Sequence, residues 1–570
     1  MSVPCANPWG TFMLVHARRI VPLALLLALA ACSKKPDADS PLAYVPADTP
    51  YVFANLEPTP QPVIDQWSQM TREAWPLSLG MYQRMLDKAE AQDAAAVKAA
   101  RAVLDEVSVH VSAGTTEQLG IKGSTHAALF GIGILPVARV QLANPDALRA
   151  AIARVEAKAG AQLPKAKLGD VDYWAVTIDK VQLLMAIIDR QLVLSAAPAA
   201  VSDDVRKQLL GITRPAKAFD IEKLVTLNKR YGYTPYSSGY LDMVRLVDFL
   251  GDANDPLRRE LSGAVFGEVL PDMDPTCKAE ARAIAAKFPR LVLGYTELAP
   301  KRMTVHFQLE MEPTLAKDFA ASLVAAPGTG TKSEGLVDFS LSLPVLKQKA
   351  FWLKQAKAVV DQPYACADLA ELNEGFAKFK QSLETTIPPP ASDITGLRMM
   401  LSKLDFAAGM EKPEAAGKIV VALSNPAGAV AMAQLALPGL KDLKLTADGT
   451  PVALPATLAP PPVPPLSLAM NDRALAVSAG AGEDATLSTF LNAPGASDAI
   501  FLRMHFTGAM YARLGGMFDV MAPLIPADQR ADIDTQKQLF KVYEKWIDSA
   551  EITMTAKNDG VSLLETIVTR

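Results

Sequence analysis

Two stretches of this chain return at a nearly constant distance, and a duplication restricts the available folds more than any single motif does. VQLANPDALRAAI (140–152) reappears as VALSNPAGAVAMA (421–433), with Asn144-Pro145 and Asn425-Pro426 at matching places. MAIIDRQLVLSA (185–196) reappears as LAMNDRALAVSA (468–479), with Asp189-Arg190 matching Asp472-Arg473 at almost the same offset. The match extends outward more weakly. YVFANLEP (51–58) faces VDFSLSLP (337–344), and GYLDMVRL (239–246) faces IFLRMHFT (500–507). LVLGYTELAPKRMTVHFQLEM (291–311) faces AEITMTAKNDGVSLLETIVTR (550–570), at an offset shorter by about twenty residues. The first copy therefore carries an insertion between Leu210 and Gly239.

Each copy reads as strand, long helical stretch, strand ending at Asn-Pro, helix, and a hairpin turning at Asp-Arg. Proline cannot continue a strand ladder but suits the first turn of a helix. In the first hairpin Leu192 and Leu194 alternate with Gln191, Val193 and Ser195, the period of a strand. The expectation is an α+β fold: two diverged copies of one module, each an antiparallel sheet of strand-helix-hairpin units packed with long helices. The boundaries fall at 48–325 for copy one and 334–570 for copy two, with a Gly/Thr/Ser linker at 326–333.

The amino-terminal segment is of another kind. Arg18-Arg19 precede an apolar run, Ile20 to Ala31, too short to cross a bilayer, which needs about 20 residues. Leu29, Ala30, Ala31 and Cys32 resemble a bacterial lipobox. The resemblance implies a lipoprotein signal peptide over 1–31, cleavage before Cys32, and a membrane anchor of acyl chains on Cys32, with Met13 an alternative start. Several chains anchor stably where one is marginal. Ser33 stands where inner-membrane-retained lipoproteins carry Asp, so the resemblance favours the outer membrane, facing the periplasm. Residues 32–47, polar and rich in proline, read as a tether.

A net charge of −4 excludes nucleic acid as partner, which calls for a basic stripe, and no single-sign run points to anionic lipid. In an exported protein the two remaining cysteines, Cys277 and Cys366, most simply pair as a disulfide, the alternative being two buried thiols. None of His16, His110, His126, His306 and His505 has a second metal ligand at a useful spacing, so no metal is expected. No P-loop, GxSxG elbow or SxxK dyad occurs, and GIGILP (131–136) lacks the third glycine of a dinucleotide loop, so no cofactor is expected either.

Two places remain as candidate binding elements. AALFGIGILPVARV (127–140) reads as one strand, apolar on both faces. Gly131 and Gly133 would open a slot there for an apolar ligand or for the other module. The insertion contains RYGYTPYSSGY, whose Tyr231, Tyr233, Tyr236 and Tyr240 have the composition of an adaptable binding loop or a sugar-stacking surface; otherwise they pack locally. Asp203-Asp204 and Asp272/Asp274 fall in polar turns. The reading is a non-catalytic envelope protein that binds a partner protein, a glycan or a lipid. The alternative is an envelope hydrolase with a carboxylate site in the cleft between the modules.

Overall fold

In the computed structural model, which describes residues 39–89, 94–406, 414–455, 457, 463–521, 526 and 530–570, the alternating segments form nineteen strands of one sheet. The lipobox, Cys32 included, lies outside the described residues. The first half begins with β1 (Tyr51–Ala54), α1 (Gln61–Ala89), α2 (Ala94–Ala113), β2 (Ala127–Ile132), β3 (Leu135–Gln141) and α3 (Pro145–Ala159). β4 (Lys165–Leu168), β5 (Val171–Ile178), β6 (Val181–Ile188), β7 (Gln191–Pro198), α4 (Asp203–Leu210) and α5 (Glu222–Tyr231) follow. It closes with β8 (Ser238–Asp242), α6 (Met243–Leu250), α7 (Pro256–Phe266), α8 (Pro275–Lys287), β9 (Arg290–Ala299), β10 (Arg302–Glu310) and α9 (Pro313–Ala321). The second half opens with β11 (Val337–Ser342), α10 (Val345–Asp361), α11 (Ala370–Glu384), β12 (Ile394–Asp405), β13 (Glu414–Leu423) and α12 (Pro426–Ala436). Next come β14 (Val452–Ala453), β15 (Leu466–Asn471), β16 (Ala474–Ala479), α13 (Leu487–Leu491) and β17 (Ile500–Thr507). α14 (Gly508–Met521), α15 (Arg530–Trp546), β18 (Ile547–Lys557) and β19 (Gly560–Thr569) end the chain.

All pairings are antiparallel, in the order β4-β5-β6-β7-β3-β2-β1-β8-β9-β10-β19-β18-β17-β11-β12-β13-β16-β15-β14. The halves meet at β10–β19, paired from Arg302↔Val568 to Glu310↔Gly560. Counted outward from that seam, both halves add their strands in the same order; β4 alone has no counterpart. The two halves thus share one continuous sheet.

Side chains alternate across the sheet as the pleat requires. Val52, Phe130, Val137 and Val193 face a core closed by α4, α5, α7 and the residues before β1. Phe53, Leu129, Ala138 and Leu194 face the other way, toward α1. There α1 of the first half meets α15 of the second through Arg84–Asp532 (2.6 Å) and Lys545–Glu73 (2.6 Å). Cys277, in the first turn of α8, and Cys366, before α11, are joined by a disulfide that ties half to half across 89 residues. Closing such a loop in the unfolded chain is worth about 4 to 5 kcal/mol in the chain-entropy model.

Three expectations change. The stretch 127–140 is a hairpin, β2-turn-β3, and the turn depends on Gly133, whose φ of 54° favours glycine. Residues 39–47 are no tether: Leu42, Tyr44 and Val45 are buried, Ser40 caps the turn Pro41–Tyr44, and Val45 O accepts the Phe219 N–H (2.8 Å). The apolar residues of PLAYV draw that segment into the core. The 326–333 linker is likewise packed, with Gly328, Thr329 and Thr331 carbonyls accepting from the buried Arg503 guanidinium.

Candidate apolar groove

The inserted tyrosines turn inward. α5 ends at Gly232 (φ 70°), and this left-handed cap returns the chain over β10. There Tyr231 and Tyr233 stack at 5.6 Å, and both rings lie against His306, at 5.9 and 5.5 Å. The Tyr231 hydroxyl donates to Glu310, whose carboxylate also receives Arg290 at 2.7 and 2.9 Å. Burial, then that hydrogen bond, pushes the Tyr231 phenol well above its usual range. Burial works against the Glu310 charge as well, yet the bonds from Arg290 and Tyr231 hold its carboxyl below the ordinary value. Tyr240 is buried on β8. Tyr231 and Tyr233 are therefore committed to packing within the protein, while Tyr236 lines an apolar groove and Tyr240 the wall of a separate, charged pocket with Asp242, Arg245 and Arg290.

Gly131 and Gly133 leave no slot. A Cβ on Gly131 would lie 2.7 Å from the Tyr51 ring, and one on Gly133 2.6 Å from Phe249. Tyr51 and Phe249 belong to the same half, so the close approach is packing within the first half rather than between halves.

The groove lies farther along the face of these strands that carries Phe53 and Leu129. It holds about 630 Å³ between α1, through Val63, Ile64 and Trp67, and a floor of Phe53, Leu129, Ala138, Val140, Tyr295, Leu298 and Met303. Asn55, Thr125, Tyr236 and Ser237 supply its polar rim. Trp67 Nε1 is buried without a hydrogen-bond partner among the described residues. Beyond α1 the floor continues uncovered: Leu129 is 42% exposed, and Leu183 and Leu194 are similarly bare. The second half repeats this at Met399, which faces Phe339 as Leu129 faces Phe53, and at Ile419. Contiguous aliphatic side chains left in water on a sheet face mark an interaction surface.

The sequence-predicted carboxylates have structural employment. Asp203 and Asp204 pair with Arg206 (2.9 Å) and Lys207 (3.0 Å) in the first turn of α4; Asp274 caps α8; Asp272 accepts the Ala253 N–H. The deeply buried carboxylates, Glu106, Glu310 and Asp338, each sit among arginines or lysines, and none lines the groove. His306 Nε2 lies 2.9 Å from Ser562 Oγ, but Nδ1 meets no carboxylate and burial pushes the imidazole below its ordinary value. Among the described residues, the metal-ligand cluster Cys277, Cys366 and Asp368 has both its sulfurs in the disulfide. No described helix is long and apolar enough to cross a membrane. Neither family models, curated proteins nor solved structures show a match to this chain.

The groove was missed in the sequence because its floor is assembled from β1, β2, β3, β9 and β10. One signal was present: VQLLMAII (181–188) and the 127–140 stretch lack the polar alternation of a half-solvated sheet.

Proposed function

We propose that this chain is a lipid-anchored envelope protein, held through Cys32 at the periplasmic face of the outer membrane, with a non-catalytic role in binding an apolar ligand. The ligand class is an acyl chain laid along the sheet under α1. The observation that carries this reading is the aliphatic groove with its uncovered continuation across β3, β7 and β6. Burying one exposed leucine gains about 1.5 to 3 kcal/mol, so a chain covering several would bind without any charged contact. The inward-turned tyrosines move the balance from glycan to lipid, because their faces are already occupied. The common order of strand pairing supports reading the two halves as diverged copies of one module.

The test is titration of the full chain with a fluorescent phospholipid. Saturable binding is expected, falling tenfold or more in Leu129→Glu and Ala138→Glu with the fold intact by circular dichroism. Absence of binding, or binding indifferent to both changes, overturns the ligand assignment. The anchor is tested separately: Cys32→Ser should abolish acyl labelling and move the protein out of the membrane fraction.

A further inference from the structure

The helices α3 and α12 occupy the same slot, each following an Asn-Pro pair whose asparagine caps it. Asn144 accepts the N–H groups of Asp146 and Ala147, and Asn425 that of Gly428. Their surfaces differ completely. α3 exposes Asp146 and Arg149, turns Arg154 and Lys158 toward the buried Glu106 of α2, and buries Ala151, Ile152, Val155 and Ala159, the last two against Ala102 of α2. α12, PAGAVAMAQLA, has no charged residue, and its main described neighbour is the turn Pro438–Leu440 that follows it. Its apolar side chains face water: Leu435 is 88% exposed, with Leu437 at 51% and Met432 at 44%.

We infer that α12 and the turn after it form a membrane-docking element, inserting Met432, Leu435 and Leu437 into the interfacial layer of a lipid bilayer. Two arguments select lipid over protein. Three side chains give a patch of roughly a few hundred Å², short of the roughly 800 Å² that each partner of a stable protein pair buries. Immediately beyond them Lys441 and Lys444 are exposed and carry no ion pair among the described residues, with Asp442 between them. An apolar tip followed by lysines at headgroup height suits an anionic membrane surface, each lysine adding about 1 kcal/mol there. Two lysines are too few to register as a charge run in the sequence; only their placement beside exposed leucines makes them an interface. The element stands apart from the groove, on another helix of the other half.

The experiment places an environment-sensitive fluorophore at Leu435→Cys in the full chain, a position exposed enough to accept it without unfolding. Vesicles of phosphatidylcholine with phosphatidylglycerol are then added. A blue shift, with quenching by doxyl-labelled lipid, is expected; the same probe at Arg149→Cys on α3 should not respond. Lys441→Glu with Lys444→Glu should weaken the response to anionic vesicles several-fold. No shift with vesicles overturns the proposal, as does a shift that grows with protein concentration in their absence, which would mean a second copy. The phospholipid titration of the groove variants fails or succeeds independently of this result.

Discussion

The two halves build the same order of strands and then bury opposite chemistry in it. Where β1, β2 and β8 place Val52, Ala128 and Ser238, the equivalent register of β11, β12 and β17 places Asp338, Arg398 and Arg503. These three charged side chains are at most 4% exposed; Arg398 grips Asp338 at 2.7 and 3.1 Å and Arg503 approaches at 3.4 Å. The first half instead buries Arg139 on β3, where β13 has Val420. No carboxylate touches Arg139: its guanidinium lies 3.2 Å from the centre of the Tyr44 ring and donates to Gln191 and the Leu210 carbonyl. Burial depresses its pKa to about 10. In both halves the segment leading into the first strand closes over a buried arginine, with Tyr44 in one and the Gly328–Thr331 carbonyls in the other. A backbone plan therefore tolerates different buried charges, provided each brings its own lid.

That contrast can be broken by mutation. Asp338→Asn should be the most damaging change, because it leaves two buried guanidiniums without an anion; a loss of about 3 to 5 kcal/mol is expected in chemical denaturation. A loss below about 1 kcal/mol would sink the view that this triad organises the second half. Removing the bridge between halves with Cys277→Ala and Cys366→Ala should cost about 2 to 4 kcal/mol, and reducing and non-reducing gels of the wild type should differ in mobility. Arg139→Met strands no anion but leaves the Gln191 Oε1 and Leu210 carbonyl without their buried donor, so a loss of about 1 to 3 kcal/mol is expected, below that of Asp338→Asn. Glu106, on α2, sharpens the comparison at the α3/α12 slot. Burial opposes its charge, yet Lys158, Arg154 and His110 bonds bring its pKa down to about 2. Its folded value is depressed, so its contribution is present above the ordinary carboxylate value and is lost as pH falls toward 2. Glu106→Gln should remove that acid leg, at a cost of about 1 kcal/mol near neutrality since Arg154 and Lys158 are half exposed.

Much of the plan could be read in advance, and the failures have physical causes. Asn144-Pro145, Asn425-Pro426 and the Asp189-Arg190 turn are local signals, and the helices and hairpins they predict are present. The hairpin at 127–140 was misread because two apolar strands joined by a two-residue turn leave no polar break. The Tyr-rich stretch carried a binding-loop composition, but composition does not say where rings point; Gly232 and the Glu310–Arg290 pair decided that. Residues 39–47 looked like tether because Pro, Ala and Tyr in a short run have no period. Their burial depends on α4, α5 and β7 arriving from far along the chain.

Sequence alone determined the local grammar: where helices begin and where hairpins turn. Those features rest on near neighbours, on caps, prolines and alternation, which short stretches carry. Tertiary structure alone decided that the halves fuse through β10 and β19, since a strand's partner is set by distant residues. It also decided which aliphatic face stays bare. Every strand offers two faces; in the first half α4, α5 and α7 cover one, while α1 covers the other only in part, and Leu129, Leu194 and, in the second half, Met399 stay in water. That choice turns an ordinary apolar sequence into the surface proposed here to hold a ligand.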